Sequence, residues 1–319
     1  MDLKQYKVLV TGPIRPCAYE YLKDRVTLVH QQKQKLTREE YLKELADADA
    51  LFVSRVFPIS NDDLAVGKRL KMIGLFSVGY DHVDMNYCRS RGIKVSNTPG
   101  ISVDGVADIG YGLIIDAARQ IVRANAFVHA GRWGRREFFG VNTSLAGKTL
   151  GIIGMGSIGG EIALRARASK MKIIYFNKHQ RADEDRFGAT YVELEELLHR
   201  ADFVVLSVAL TPETEKMINA NTLAMMKPTA ALINVARGKV VDTEALYEAL
   251  KNGVIRYAAA DVIDPEPLPG EHKILTLDNF VVTPHIASAT KEIYDNMALH
   301  TAENIVAFFE GKPLLSEVK

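Results

Sequence analysis

Three segments end an apolar run on a polar group of distinct chemistry. "NVARGKVVD" (234–242) offers Arg237, "DVIDPEPLP" (261–269) offers Asp261 and Glu266, and "VVTPHIASAT" (281–290) offers His285. A guanidinium grips a carboxylate or oxo group through its planar fork. An imidazole that titrates near neutrality can protonate a forming alkoxide. A carboxylate beside it favours the imidazolium and fixes the ring's orientation. Taken together the set suits reduction of a 2-oxo acid: Arg237 on the substrate, His285 as proton donor, Glu266 as its partner and Asp261 by the nicotinamide. Taken singly, each has a plain reading as a helix-entry charge, a solvated histidine or a turn acid between prolines. The joint pattern, downstream of a glycine-rich stretch, favours the chemical reading.

That stretch is "GIIGMGSIGGEIALRA" (151–166), with Gly154, Gly156 and Gly159 in G-x-G-x-x-G spacing. It follows a strand-like run and opens a helical one, the context in which the spacing marks a dinucleotide site. Gly154 permits a tight turn, Gly156 lets backbone approach a pyrophosphate, and Gly159 lets helix and strand pack closely. The helix start then offers free N–H groups to phosphates. The next strand ends on "NKHQR" (177–181), where an NAD site usually carries an acid. Asn177 removes the repulsion of a 2′-phosphate, and Lys178, Arg181 and His179 supply positive charge. The cofactor expected is NADP(H) in preference to NAD(H).

The elements that must position these groups are legible as apolar runs. One series covers 7–12, 50–54, 71–76 and 93–97, and a second 149–154, 172–177, 202–208, 230–236, 257–263 and 279–285. Most are apolar throughout, as in parallel strands buried on both faces. Helical patterns between them (159–170, 213–226, 242–252) make the class α/β with two doubly wound parallel-sheet units. "NTPGISVDG" (97–105) marks the boundary, a long helix is expected over about 104–130, and the last helix, about 289–310, should return to the first unit. The expected domains are therefore 1–101 with 288–319, and 102–287.

The chain has 319 residues, 40 Lys+Arg against 39 Asp+Glu and a formal net charge of +1, so nothing drives it as a whole toward nucleic acid or anionic membranes. No apolar run nears the roughly 18–20 residues that span a bilayer. The opening "MDLKQYKVLV" is expected to be neither a secretory signal nor a transit peptide. Cys17 and Cys88 lack metal-ligand spacing and are expected as reduced thiols in a cytoplasmic protein, with no metal bound.

These residues resemble the D-isomer-specific 2-hydroxyacid dehydrogenases. The motifs are "SVGYDHVD" (77–84), "NTPGISVDGVAD" (97–108), "GRW" (131–133), "GKTLGIIGMGSIG" (147–159), "LTPET" (210–214), "MKPTAALINVARGKVVD" (226–242), "AAADVIDPEPLP" (258–269) and "TPHIASAT" (283–290). The resemblance implies a Rossmann cofactor domain inserted into a flavodoxin-like substrate domain. It implies Arg237, Glu266 and His285 as the catalytic residues, with the backbone amides of Val78 and Gly79, together with Ser288, on the substrate. Cofactor contacts are implied for Met155, Gly156, Ser157, Ile158, Asn177, Lys178, His179, Val235, Ala236, Arg237 and Asp261. A homodimer through about 104–140 is implied as well, and the similarity is greatest to glyoxylate, hydroxypyruvate and hydroxyphenylpyruvate reductases.

Some positions depart from the family's habit: Val106 where Thr is frequent, Asp108 for Glu, and Ala287 for Gly. In "REFFGVN" (136–142), Phe138 or Phe139 could line a partner's pocket or simply pack an interface. Arg55 could aid substrate binding or be a surface charge. The expected activity is reduction of glyoxylate or hydroxypyruvate to the D-2-hydroxy acid. An aromatic oxo acid such as hydroxyphenylpyruvate is the alternative substrate. A nucleotide-sensing corepressor without catalysis is the alternative function.

Overall fold

The computed structural model describes residues 2–30, 36–54, 59–135 and 137–319; Arg55 lies outside them. The chain divides into two compact units, one made of Met1–Ser102 with Ala289–Lys319 and the other of Val103–Ser288.

The first unit runs β1 (Lys7–Val10), α1 (Pro16–Leu22), β2 (Thr27–His30), α2 (Arg38–Leu45), β3 (Ala50–Val53), α3 (Asn61–Val66), β4 (Met72–Leu75), α4 (Met85–Ser90) and β5 (Lys94–Ser96). The five strands are parallel, in the order β2-β1-β3-β4-β5, the flavodoxin-like winding. β3 and β4 are buried at every residue, which is why they read as unbroken apolar runs. β2 sits at the sheet edge on "TLVH" and lacks such a run, so the sequence does not announce it. Threonine and serine caps start several helices. In α2 the Thr37 hydroxyl accepts from Glu40 N while Glu40 returns the bond to Thr37 N.

The second unit contains α5 (Val103–Arg119), α6 (Ile121–His129), β6 (Thr149–Ile153), α7 (Ser157–Ala168), β7 (Lys172–Phe176), α8 (Glu184–Phe187), β8 (Ala189–Tyr191), α9 (Leu194–Arg200), β9 (Phe203–Leu206), α10 (Ala220–Ala224), β10 (Ala231–Asn234), α11 (Thr243–Lys251), β11 (Tyr257–Ala260) and β12 (Phe280–Val282). Its seven parallel strands are ordered β12-β11-β10-β9-β6-β7-β8. Winding thus reverses between β6 and β9, the point where such sheets bind ligands beyond their strand ends. One apolar cluster lies on each face of the sheet. The chain then returns to the first unit as α12 (Lys291–Phe309), whose Thr290 hydroxyl accepts from Ile293 N at 3.2 Å.

Two helical expectations are corrected. The single helix over 104–130 is two, α5 and α6, broken at Gln120 with φ 51°. The break is held by Asp116, buried at 5% exposure. Its Oδ1 accepts from Val122 N at 2.8 Å and its Oδ2 from the Tyr257 hydroxyl at 2.9 Å. A side chain thus takes over the work of a helical carbonyl. The helix over 213–226 shrinks to α10. Thr214 Oγ1 donates to Ala209 O at 2.7 Å, and Asn219 caps α10, so side chains compete for the backbone that a helix would use.

Candidate active site

The reactive side chains stand just past β10, β11 and β12. Asn234, the last residue of β10, is buried, accepts from Ala236 N at 3.0 Å and donates to Arg237 O at 3.0 Å. It folds the turn that presents Arg237, whose Nη1 donates to Ala236 O at 2.8 Å. After β11, Asp261 is 2% exposed. Its Oδ1 accepts from Thr283 Oγ1 at 2.5 Å and Ile286 N at 2.9 Å, and its Oδ2 from Ala287 N at 2.9 Å. The Asp261 carboxylate therefore holds the Thr283 side chain before His285 and the backbone amides after it. That loop is tight: His285 has φ 52°, and its amide reaches Asp261 O and Thr283 O, both at 2.9 Å. Positive φ is uncommon outside glycine and costs on the order of 1 kcal/mol, which the Asp261 bonds offset.

The loop aims the imidazole at Glu266. His285 Nδ1 lies 2.6 Å from Glu266 Oε1, with the two side chains 41% and 44% exposed. The hydrogen bond to Glu266 raises the proton affinity of His285 above its usual value. Partial burial opposes this, the charges of Glu266 and Asp261 assist it, and the Arg237 guanidinium opposes it. With Nδ1 committed to the carboxylate, Nε2 is the nitrogen with a proton to give. The arrangement can protonate an oxygen in front of Nε2 and hold an anionic group near Arg237.

The glycine loop joins β6 to α7. Gly154 has φ 92°, and a Cβ there would lie 2.6 Å from Val208. A Cβ on Gly159 would lie 2.8 Å from Gly154 O, whereas one on Gly156 would meet nothing within 4 Å. Gly156 is thus the glycine that the protein's own packing does not require. It is the N-cap of α7 and makes no side-chain cap, which leaves the first-turn amides for an anion. The loop fits a dinucleotide's pyrophosphate.

The basic loop after β7 divides its labour. Asn177 Oδ1 accepts from Met155 N at 2.6 Å, and its Nδ2 donates to Met155 O at 3.3 Å. Arg181 grips Asp183 with two bonds of 2.8 Å and donates from Nη1 to Met155 O at 2.8 Å. Its guanidinium also lies over the Phe187 ring at 4.8 Å. Arg181 is therefore tied into the glycine loop, while Lys178 and His179 are exposed. The sequence reading placed Arg181 with the phosphate binders and did not register Asp183, two residues on, as its partner.

Residues 111–287 match the family model "D-isomer specific 2-hydroxyacid dehydrogenase, NAD binding domain". Glyoxylate reductase of Pyrococcus furiosus is 40% identical over 314 residues, covering 96% of this chain and 93% of that protein. The chain belongs to the D-isomer specific 2-hydroxyacid dehydrogenase family. Among solved structures of similar fold, the TT0316 protein of Thermus thermophilus gives a TM-score of 0.91 at 37% identity, covering 98% of this chain and 100% of that one. The NADPH-dependent glyoxylate/hydroxypyruvate reductase of Sinorhizobium meliloti, in complex with NADP and malonate, gives 0.87 at 32%, covering 98% and 96%.

Of the other residues singled out by family likeness, Val235 and Ala236 are buried at the tip of β10, Met155 is buried within the glycine loop, and Ser157 and Ile158 open α7. Ser288 is half-buried. Where the family often has Gly, Ala287 contributes its amide to Asp261. Asp108 accepts from Arg165 Nε at 2.9 Å, and Val106 is buried. Phe139 packs edge-on against Phe127 at 5.3 Å, whereas Phe138 is 80% exposed.

In the first unit, Val78 and Gly79 lie in a loop whose carbonyls are taken. Asn97 Nδ2 donates to Val78 O at 2.7 Å and Ser77 Oγ to Gly79 O at 2.7 Å. Neither the Val78 nor the Gly79 amide has an acceptor among the described residues. Three supporting residues escaped the sequence reading: Asn234, Thr283 and Asn97. The first and last sit in "NVARG" and "NTPG", and an amide next to a sharp turn is the signal that could have found them. Among the described residues no helix is long and apolar enough to cross a membrane.

Proposed function

We propose that this protein reduces a small 2-oxo acid, glyoxylate or hydroxypyruvate, to the D-2-hydroxy acid with NADPH. The Glu266–His285 pair carries the reading: a 2.6 Å contact that loads the imidazole with a proton at the strand tips of a dinucleotide-binding unit. A nicotinamide dinucleotide, whose pyrophosphate the glycine loop would hold, would supply the hydride. His285 Nε2 delivers the proton to the carbonyl oxygen, and Glu266 stabilises the imidazolium until then. Arg237 steadies the oxo or carboxylate group, and the amides of Val78 and Gly79 take the carboxylate. The net change adds one hydride to carbon and one proton to oxygen. Asp261 is assigned to the cofactor side and keeps His285 in its loop.

NADPH is favoured because Asn177 leaves no acid at the ribose end and Lys178 and His179 lie exposed beside it. The S. meliloti relative, described as NADPH-dependent and solved with NADP, supports this choice. A homodimer is favoured by an apolar surface over 121–141. Ile121, Val122, Trp133, Phe138 and Val141 are each more than half exposed there. Both cysteines are unpaired, in keeping with the reducing cytoplasm. A corepressor gives no reason for the proton-loaded pair.

The test is steady-state loss of NADPH and NADH absorbance with glyoxylate, hydroxypyruvate and hydroxyphenylpyruvate. Turnover is expected with the first two and greatest with NADPH. No turnover with any of the three removes the assignment.

A further inference from the structure

The C-terminal tail reaches the loop of Val78 and Gly79 through a single serine. Residues 316–318 lie along the outer edge of β5: Val318 N donates to Val95 O at 2.9 Å, and Ser96 and Glu317 form an antiparallel bridge. Ser316 Oγ donates to Asn97 O at 2.6 Å. That spends its one proton, so it accepts from its other neighbours, Asn304 Nδ2 at 3.3 Å and His300 Nε2 at 2.8 Å. His300 is therefore the tautomer protonated at Nε2. Burial lowers its proton affinity, and Nε2 donates in either charge state, so the contact does not switch with pH.

Asn304 closes the set. It is fully buried, its Oδ1 accepts from Ser316 N at 3.2 Å, and its Nδ2 also donates to His300 O at 2.8 Å. Every bonding position of the Ser316 hydroxyl is thus used, and its donated bond holds the backbone of Asn97. The Asn97 amide in turn holds Val78 O, while Thr98 N donates to Ser77 O at 3.0 Å. With these carbonyls fixed, the amides of Val78 and Gly79 are turned the other way.

We infer that Ser316 is a positioning residue for the 2-oxo acid: by fixing Asn97 it aims the Val78 and Gly79 amides at the substrate carboxylate, so the tail is part of the substrate-anchoring apparatus. This role rests on the carboxylate binding proposed for those amides. Its signature is loss of substrate affinity without loss of proton transfer or cofactor binding, because His285, Glu266 and the glycine loop belong to another unit.

The test compares the full-length holoenzyme with Ser316→Ala, Ser316→Thr and a chain ending at Leu315. For Ser316→Ala and the truncation, KM for glyoxylate is expected to rise about tenfold, with kcat within twofold and KM for NADPH unchanged. Ser316→Thr keeps the hydroxyl and should restore KM to within twofold. A wild-type KM in Ser316→Ala overturns the inference, as does a fall in kcat with an equal change in KM for NADPH. If the wild-type protein reduces no 2-oxo acid, the functional reading fails separately. The relay is then judged by hydrogen exchange at the Thr98 amide, which should quicken in Ser316→Ala and would overturn the relay by staying unchanged.

Discussion

His285 owes its place to a carboxylate that never touches its ring. Asp261 binds the amides of residues 286 and 287 and the Thr283 hydroxyl, and the positive-φ turn so fixed points Nδ1 at Glu266. In the proposed reaction the imidazolium form is consumed, so the rate should fall as pH rises through the His285 pKa. Glu266 raises that pKa. Glu266→Gln should therefore move the falling limb of kcat/KM to lower pH; an unmoved limb would take Glu266 out of this role. The same sign governs stability. A histidine whose folded pKa is raised stabilises the fold at low pH, and the contribution fades as pH climbs past the folded value. The basic loop yields a second contrast. Lys178 is exposed, whereas Arg181 braces Met155 O. Lys178→Ala should weaken NADPH by about tenfold and spare NADH, while Arg181→Ala should weaken both together. A purely NADPH-selective loss in Arg181→Ala would return that residue to phosphate binding.

At the scale of elements, the α5–α6 break depends on a buried acid. Removing the Asp116 carboxylate orphans the Tyr257 hydroxyl and the Val122 amide. A buried hydroxyl left without a partner costs about 1–3 kcal/mol, whereas the amide of Val122, a residue more than half exposed, can turn to water. Asp116→Ala should therefore lower the urea unfolding free energy by about 1–3 kcal/mol, and Tyr257→Phe, which leaves the Val122 bond intact, should cost about 1 kcal/mol. Equal, negligible losses would mean that the break persists without the clamp. The break matters because α6 and the following arm carry the exposed apolar residues, and a continuous helix would aim them elsewhere.

For the molecule as a whole, that surface makes the prediction. Trp133 is 72% exposed and Val141 88% exposed, costly for a free surface and ordinary for a buried interface. Sedimentation should show a dimer for the wild type and dissociation for Trp133→Glu. A monomeric wild type would leave these side chains without an explanation.

The sequence by itself determined the class of fold, the glycine loop and the identity of the residues past β10, β11 and β12. Parallel strands buried on both faces must be apolar throughout, and a phosphate turn must be glycine-rich; both constraints act on neighbours along the chain. Of the four edge strands, β2 ("TLVH") and β8 ("ATY") stayed hidden because polar residues leave neither an unbroken apolar run, whereas β5 and β12 lie within runs apolar enough to read. Tertiary structure alone decided what the polar side chains do. Asn177 reads as the missing acid and Arg181 as one of the basic residues of the ribose-end loop, and the fold also bonds each of them to Met155. Asp261 reads as a cofactor neighbour, yet it holds the histidine loop 25 residues on. Ser316 reads as tail, yet it bonds across 219 residues to Asn97. A polar group's role is set by whichever donor or acceptor packing brings within about 3 Å, and no local pattern records that partner.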